Sequence, residues 1–397
     1  MINSLRISCL KSNRVEKSHK EMILLKLAGS GASISRLQLV APKLAGILNS
    51  NVVRKTHTVV IDSNKKKVGW WLLGCAGMCY GAVALGGVTR LTESGLSMVN
   101  WDLFRTMKPP FSQKDWETEF ERYKQFPEYK YKSSSEAMTM SEFKFIWTME
   151  YLHRMWGRAI GIVFLVPCAY FWYRGYFHRT QKWRMLLATT LLLTQGGVGW
   201  WMVKSGLDPS SNSDSSIPRV SQYRLATHLT LAFVLYSLFF WNGLVHLFPP
   251  QPHPSAKLGA LKGLAHTSKG FMFATAIMGA FVAGLDAGLV YNSWPKYADK
   301  WMPENLLSRQ PTWKNFFEND VTVQFMHRNL VSPGISRRAR LALNTSVVAV
   351  FAQAGLGITT LLNYVPVWLA ALHQSGSMAL ISCVLWLTHE LRKVPKF

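Results

Sequence analysis

Cysteine is scarce in this chain, and its five copies are scattered. Cys75, Cys79, Cys168 and Cys383 fall inside long apolar stretches, while Cys9 lies near the N-terminus. A disulfide framework or a zinc motif needs cysteines at short, regular spacings. The sequence therefore predicts neither.

Acidic residues are also few, with 21 Asp and Glu against 45 Lys and Arg and a formal net charge of +24 over 397 residues. Such an excess of base is common in nucleic-acid-binding proteins. Here, however, the bases cluster in the N-terminal segment and in short loops between apolar runs. That distribution follows the positive-inside rule of membrane proteins, so we expect contact with lipid and no nucleic-acid partner.

Charge is absent altogether from five long stretches. Each is long enough to cross a membrane core, which takes about 20 apolar residues. Two further candidate spans, 144–173 and 264–291, carry charge at one end. The sequence predicts an all-α polytopic membrane protein with about eight spans, the sixth of them truncated. The uncharged stretches are residues 69–88, 185–203, 225–245, 341–362 and 364–388.

Residues 1–55 combine many Lys and Arg with only Glu16 and Glu21 as acids. A basic, acid-poor N-terminus is typical of a mitochondrial presequence. A basic arm beside the membrane is the alternative. With the positive loops, this predicts a multi-pass protein of the mitochondrial inner membrane whose N-terminus lies in the matrix.

An internal repeat divides the chain. Residues 86–101 align with residues 279–294 at a constant offset of 193, which places Glu93 on Asp286. The repeat predicts two tandem four-helix bundles, residues 68–248 and 264–390. Because each has an even number of spans, both run in the same membrane orientation.

The predicted sixth span is short. His153 precedes Gln195 by 42 residues, whereas its counterpart His327 precedes Gln353 by only 26. Span six therefore lacks about 16 residues. A helix of that length falls short of a core of about 30 Å.

Four histidines lie inside the even-numbered spans, at similar distances from the span starts. An ionisable residue inside a membrane is expected to be functional. Helix bundles hold cofactors between facing side chains, so His153 with His228 and His327 with His373 predict two bis-imidazole heme iron sites. A zinc site fits less well, since it usually takes four ligands. A polar core histidine remains the alternative for any single position.

Glu150 lies three residues before His153, on the same helical face. It is a candidate for proton chemistry at the site, or for an ion pair with Arg154 or Arg158. The equivalent residue in the second copy is Gln324.

Several arginines adjoin the proposed ligands. Arginine offers two parallel donors to a carboxylate, so these residues suit heme propionates. Ordinary interfacial arginines are the alternative for each one. The candidates are Arg90, Arg154, Arg158 and Arg328.

Several of these motifs occur in the order found in one known family. From about residue 68 to residue 395 the chain resembles the heme A synthase family. The segments that carry the resemblance are residues 86–101, 142–161 (EFKFIWTMEYLHRMWGRAIG), 199–207, 219–228 (RVSQYRLATH), 279–295, 323–328 and 371–376.

The resemblance implies oxidation of the C8 methyl group of heme O, through an alcohol, to the formyl group of heme A. It implies that His153 and His228 flank the substrate, that His327 and His373 ligate a resident heme b, and that Glu150 is catalytic. The implied partners are a ferredoxin-type reductant, heme O synthase and cytochrome oxidase assembly factors; self-association is left open.

Two other classes of function are kept beside this one. A diheme membrane cytochrome would transfer electrons without modifying heme, and a heme carrier would release heme unchanged. The short sixth span further predicts weak heme b binding in the second copy.

Overall fold

A computed structural model describes residues 63–98, 108–132, 137–207, 219–249, 258–328 and 337–392. These residues all belong to one compact unit, Ile61–Phe397. The predicted presequence, residues 1–55, lies outside the described residues and stays a prediction.

The described part of the chain is almost entirely helical, and its only β-type pairing is an isolated bridge between Tyr297 and Lys300. Seven of its helices are long and apolar enough to cross a membrane. This confirms the predicted all-α polytopic fold class. The helices are α1 (Ser63–Leu91), α2 (Gln113–Tyr123), α3 (Pro127–Lys132), α4 (Met140–Tyr173), α5 (Arg179–Leu207), α6 (Gln222–Leu247), α7 (Leu258–Leu285), α8 (Asn315–Glu318), α9 (Asp320–Arg328), α10 (Arg337–Leu362) and α11 (Val367–Glu390).

Helix α4 begins four residues before the predicted span. The Thr139 side chain accepts from the backbone of Glu142, whose carboxylate accepts in return from the Thr139 backbone. This capping box satisfies donors that would otherwise be unpaired at the helix start. The extra turn projects α4 beyond the apolar stretch toward α2.

Helix α1 lies at the centre of the packing and contacts α4, α6 and α11. Leu72, Phe164 and Phe239 are fully buried between these helices. A Cβ at Gly243 would lie 2.7 Å from the Leu73 side chain and 3.2 Å from the Gly69 carbonyl. Small residues allow this close approach of α1 and α6, as in other membrane helix pairs.

Helix α9, the sixth predicted span, has only nine residues. It rises about 14 Å, well short of a core of about 30 Å. It is not one of the seven candidate spans found among the described residues, and the predicted truncation of the sixth span stays a prediction. Residues 329–336, which follow it, lie outside the described residues.

The repeat is visible in the backbone. Glu93, after the end of α1, has a φ of 47°, and Asp286, after the end of α7, has a φ of 50°. Left-handed geometry is uncommon for residues other than glycine. Its occurrence at two positions related by the offset of 193 indicates that both helices end in the same turn.

Candidate functional site

All four predicted histidines line one large cavity of about 1850 Å³. His153 lies on α4, His228 on α6, His327 on α9 and His373 on α11. Pockets for one small molecule are typically about 300–1000 Å³. The cavity therefore has room for two large flat ligands.

Two of the four histidines, His327 and His373, lie side by side. The ring centroids of His327 and His373 lie 6.1 Å apart, with their planes at 86°. Imidazole nitrogens bind metals at about 2 Å, so two rings on opposite sides of one metal ion have centroids about 6 Å apart. His153 and His228 line the same cavity.

The hydrogen bonding of Nδ1 in each histidine ring determines whether Nε2 is available to bind a metal. The Nδ1 atom of His327 lies 3.0 Å from the Thr275 carbonyl oxygen. Such a bond fixes the tautomer and leaves Nε2 to a metal. The Nδ1 atoms of His153, His228 and His373 are buried without a hydrogen-bond partner in the described part of the chain.

Each histidine of the first copy packs against a glycine of the preceding long helix. A Cβ at Gly86 would lie 2.7 Å from Cε1 of His153, and one at Gly199 would lie 3.2 Å from Cε1 of His228. Glycine therefore creates the space in which each imidazole ring lies.

The second copy repeats this contact at the equivalent positions. A Cβ at Gly279 would lie 3.1 Å from Cε1 of His327, and one at Gly357 would lie 2.8 Å from Cε1 of His373. The sequence analysis did not predict these glycine–histidine contacts. The available signal was the matching repeat position of each glycine.

The Glu150 side chain is buried, and its carboxylate is hydrogen-bonded within the protein. It accepts hydrogen bonds from the Ser97 hydroxyl at 2.7 Å and from the Met98 backbone N–H at 2.8 Å. Arg154 donates to it at 2.5 Å. Glu150 thus forms an ion pair with Arg154, which the sequence analysis kept as the alternative to proton chemistry. It also lines the cavity, as His153 does.

The predicted arginines differ in their surroundings. Arg154 also donates to the Met98 carbonyl at 2.7 Å. Arg158 extends back along α4 to the sulfur of Met155 at 3.5 Å, and both arginines line the cavity. Arg328 is the last residue of α9, and its side chain lies outside the described residues.

Arg90 connects the two copies. It donates to the carbonyl of Ala283 at 3.0 Å and to Asp286 at 3.1 Å. The other oxygen of Asp286 lies 2.7 Å from Arg219. This Arg90–Asp286–Arg219 bridge borders the cavity, and the sequence analysis did not predict the roles of Asp286 and Arg219.

A buried polar cluster outside the membrane spans also reaches the site. Glu128, at the start of α3, is buried and lines the cavity. Tyr123 is fully buried. Burial, reinforced by the Glu128 carboxylate, raises the pKa of Tyr123. The sequence analysis missed both residues because their burial depends on tertiary contacts, such as the packing of α2 against α4.

The donor set decides which metal group fits. Among the described residues, no group of three or more His, Cys, Asp or Glu that could hold a metal was found. Paired imidazoles in a large, mostly apolar cavity instead fit a heme. The fold and the site thus define a multi-pass helical membrane protein of the heme-binding class.

Comparison with known proteins makes this class specific. A family model described as "Cytochrome oxidase assembly protein" matches residues 69–385. The chain is 51% identical over 359 residues to heme A synthase COX15 of Homo sapiens, with 86% of this chain and 87% of that protein covered. The chain belongs to this cytochrome oxidase assembly protein family.

Similarity extends to fungi and bacteria. Heme A synthase COX15 of Saccharomyces cerevisiae is 40% identical over 396 residues, covering 87% of this chain and 80% of the yeast protein. Heme A synthase of Nitrosospira multiformis is 40% identical over 347 residues, with 83% and 94% covered. No solved structure matches the chain.

Proposed function

We propose that this chain is a heme A synthase of the mitochondrial inner membrane. It would oxidise the C8 methyl group of heme O first to an alcohol and then to the formyl group of heme A. The supporting observations are the identity with curated heme A synthases along most of the chain and the cavity that collects four histidines.

Each copy would bind one heme. Residues 68–248 would bind the substrate heme, and residues 264–390 would bind the resident heme. His153 and His228 would hold heme O, and His327 and His373 would hold heme b. When bound, heme b supplies electron transfer. The observation that carries this assignment is the acid Glu150 beside His153, where the second copy has Gln324, a residue that does not titrate.

Glu150 would take up or release protons as the methyl carbon loses hydrogen. The hydrogen bonds from Ser97 and Met98 and the ion pair with Arg154 hold its carboxylate in one orientation. A general acid or base must be oriented and within reach of the reacting group. Its hydrogen bonds orient the Glu150 carboxylate, and its position on the cavity wall is compatible with reach to a bound heme.

The propionates of both hemes would meet the arginines. Arg154 and Arg158 line the first copy, Arg90 lies in the bridge between the copies, and Arg328 is the repeat-related candidate in the second. An external oxidant would take up the electrons that the methyl carbon loses, and a ferredoxin-type reductant on the matrix side would supply electrons to the resident heme. Heme O synthase would deliver the substrate, and the product would go to the cytochrome oxidase subunit that receives heme A; cytochrome oxidase assembly factors are the other expected partners.

Expression in cells that make heme O but not heme A tests the proposal. Extracted hemes would be separated by chromatography and identified by mass spectrometry, with Glu150→Ala and His153→Ala as controls. Heme A that appears with the wild type and is lost in both controls supports a synthase. A stably inserted chain that leaves heme O unchanged would favour the electron-transfer or carrier alternatives.

A further inference from the structure

Helices α1 and α11 belong to different copies of the repeat and contact one another, as do α6 and α7. The two helix pairs are equivalent, because α1 corresponds to α7 and α11 corresponds to α6. Helix α1 carries Gly86, which packs on His153, and α11 carries His373. The contact between α1 and α11 therefore connects the histidine site of one copy with that of the other.

Two side-chain hydrogen bonds join α1 to α11. The Gln374 amide donates to the Val83 carbonyl at 2.8 Å, and the Tyr80 hydroxyl donates to the Ser375 carbonyl at 3.0 Å. Gln374 and Ser375 are the two residues that follow His373. Both bonds therefore attach α1 to the turn of α11 that carries this histidine.

Gly87 allows the bond between Gln374 and Val83. It lies one helical turn after Val83, and a Cβ at this position would overlap the side-chain oxygen of Gln374. A carbonyl that already accepts one bond within a helix keeps a second lone pair for another donor. Because position 87 has no side chain, the Gln374 amide can reach the Val83 carbonyl, as small residues permit between membrane helices.

The contact between α6 and α7 has different chemistry. Leu229 and Phe273 stand at the repeat positions of the glutamine and the tyrosine, and neither side chain has a hydrogen-bond donor. Ala280 stands at the repeat position of the glycine, and Leu229 packs against the apolar cluster that contains Ala280. The polar connection is therefore specific to α1 and α11, as a consequence of the residue types themselves.

A continuous chain of contacts links the two histidine sites. The His153 ring packs on Gly86, Gly87 is the next residue, Gln374 lies against Gly87, and His373 precedes Gln374. The two glycines and Gln374 also line the cavity. A shift of α11 along α1 would break the bond from Gln374 and would move His373 relative to His153.

We propose that Gln374 is a positioning residue that holds His373, and with it the heme of the second copy, in a fixed orientation relative to the His153 site. This inference rests on the proposed function, in which both sites hold a heme. Gln374 acts through the position of His373 and does not itself touch a reacting atom. Electron transfer between the two hemes would depend on the geometry that it maintains.

The electron paramagnetic resonance spectrum of the second heme tests the proposal on the full, heme-loaded chain. The low-spin signal of a ferric heme with two imidazole ligands depends on the angle between the ring planes, which is 86° for His327 and His373. For Gln374→Leu we expect this signal to shift, while the signal of the first heme stays in place. A loss of stability alone would lower the amount of bound heme without shifting the signal.

The rate of electron transfer between the hemes is the second readout. Heme A, the product, is placed in the first copy, because its formyl group separates its absorption from that of heme b. A light-activated reductant reduces heme b, and absorbance follows the arrival of the electron at heme A. A displacement of about 1 Å can cost about 100-fold in rate. For Gln374→Leu we therefore expect the rate per loaded protein to fall at least about 10-fold.

Two further variants separate the hydrogen bond from packing. Gly87→Ala displaces the Gln374 amide, so it should shift the signal as well, and it provides the test if Gln374→Leu does not hold heme. The double variant Gly87→Ala/Gln374→Leu recreates the leucine and alanine of the α6–α7 contact. We expect its signal to stay shifted, because the bond to Val83 is still missing. Gly77→Ala, which meets nothing within 4 Å, is the control and should keep the wild-type signal and rate.

A shifted signal or a slower electron transfer in Gln374→Leu would support the inference. Unchanged values of both in the folded, heme-loaded variant would overturn it, as would recovery of the wild-type values in the double variant. If the wild type makes heme A in cells while Gln374→Leu matches it in both readouts, the proposed function stands and only this inference fails. A wild type that makes no heme A would instead contradict the proposed function.

Discussion

Glu150 and Gln324 occupy equivalent positions, three residues before a cavity histidine in each copy, and both contact the loop after the preceding long helix. Glu150 accepts from the Met98 backbone N–H at 2.8 Å. Gln324 donates to the carbonyl of Tyr291 at 3.2 Å, and Tyr291 aligns with Met98 at the offset of 193. The two copies therefore keep the same contact between helix and loop, while only the first has an acid there.

Replacement of Glu150 by Gln separates its structural and chemical roles. The hydrogen bonds from Ser97 and Met98 can still be accepted by an amide oxygen, so we expect a folded protein that binds heme O. Formation of heme A should fall by about 100-fold or more, the usual contribution of a general acid or base. Product yield per bound heme is the measurement.

The matched control for Glu150→Gln is Gln324→Glu in the second copy. It adds an acid without removing the first, and we expect product formation to continue. Normal turnover by Glu150→Gln would show that Glu150 serves only in the ion pair with Arg154.

Gly86 tests the glycine–histidine contacts. In Gly86→Ala the new Cβ would lie 2.7 Å from Cε1 of His153, so the ring must move. A displacement of about 1 Å can cost about 100-fold in rate, and we expect heme A formation to fall at least about 10-fold. Gly77→Ala on the same helix meets nothing within 4 Å and should keep activity. Equal activity of the two variants would argue against a positioning role for Gly86.

Asp286 tests the bridge between the copies. Asp286→Ala removes the contacts with Arg90 and Arg219 and also places alanine at a φ of 50°. We expect a loss of roughly 1–2 kcal/mol in stability. Asp286→Asn keeps a residue that tolerates left-handed backbone geometry, so we expect it to lose less stability than Asp286→Ala. Thermal denaturation in detergent ranks the stability of the wild type, Asp286→Asn and Asp286→Ala. Equal melting temperatures for these three proteins would exclude a stabilising bridge.

The short α9 leads to a prediction about heme b. Nine residues form only part of a wall for the second pair, so purified protein should hold less than one heme b per chain after prolonged washing. An insertion of about 16 residues after Arg328, matched to the spacing of the first copy, should raise that occupancy. Full and stable heme b occupancy in the unmodified chain would contradict this prediction.

The fold class followed from the sequence because uncharged runs of about 20 residues have few alternatives to a membrane helix. The histidine positions and the offset of 193 could also be predicted from the sequence, since both depend only on the spacing of residues along the chain. The start of α4 was misjudged by four residues, because the Thr139–Glu142 capping box extends the helix beyond its apolar part. Propensity and hydropathy cannot measure such an extension without the cap geometry.

Contacts between helices required the structure. The pairing of Gly199 with His228 depends on the rotation of α5 and α6 about their axes, which the sequence does not specify. Repeat alignment identifies such positions, but only packing shows what each side chain contacts.

The division of labour between the two histidine pairs is the central claim, and the identity of the heme held by each pair tests it most directly. Hemes would be extracted from purified His153→Ala and His327→Ala proteins, produced in cells that supply both heme O and heme b. The account predicts that His153→Ala retains heme b and loses heme O and heme A, while His327→Ala retains heme O and loses heme b. The opposite retention, or the same heme lost from both proteins, would contradict it.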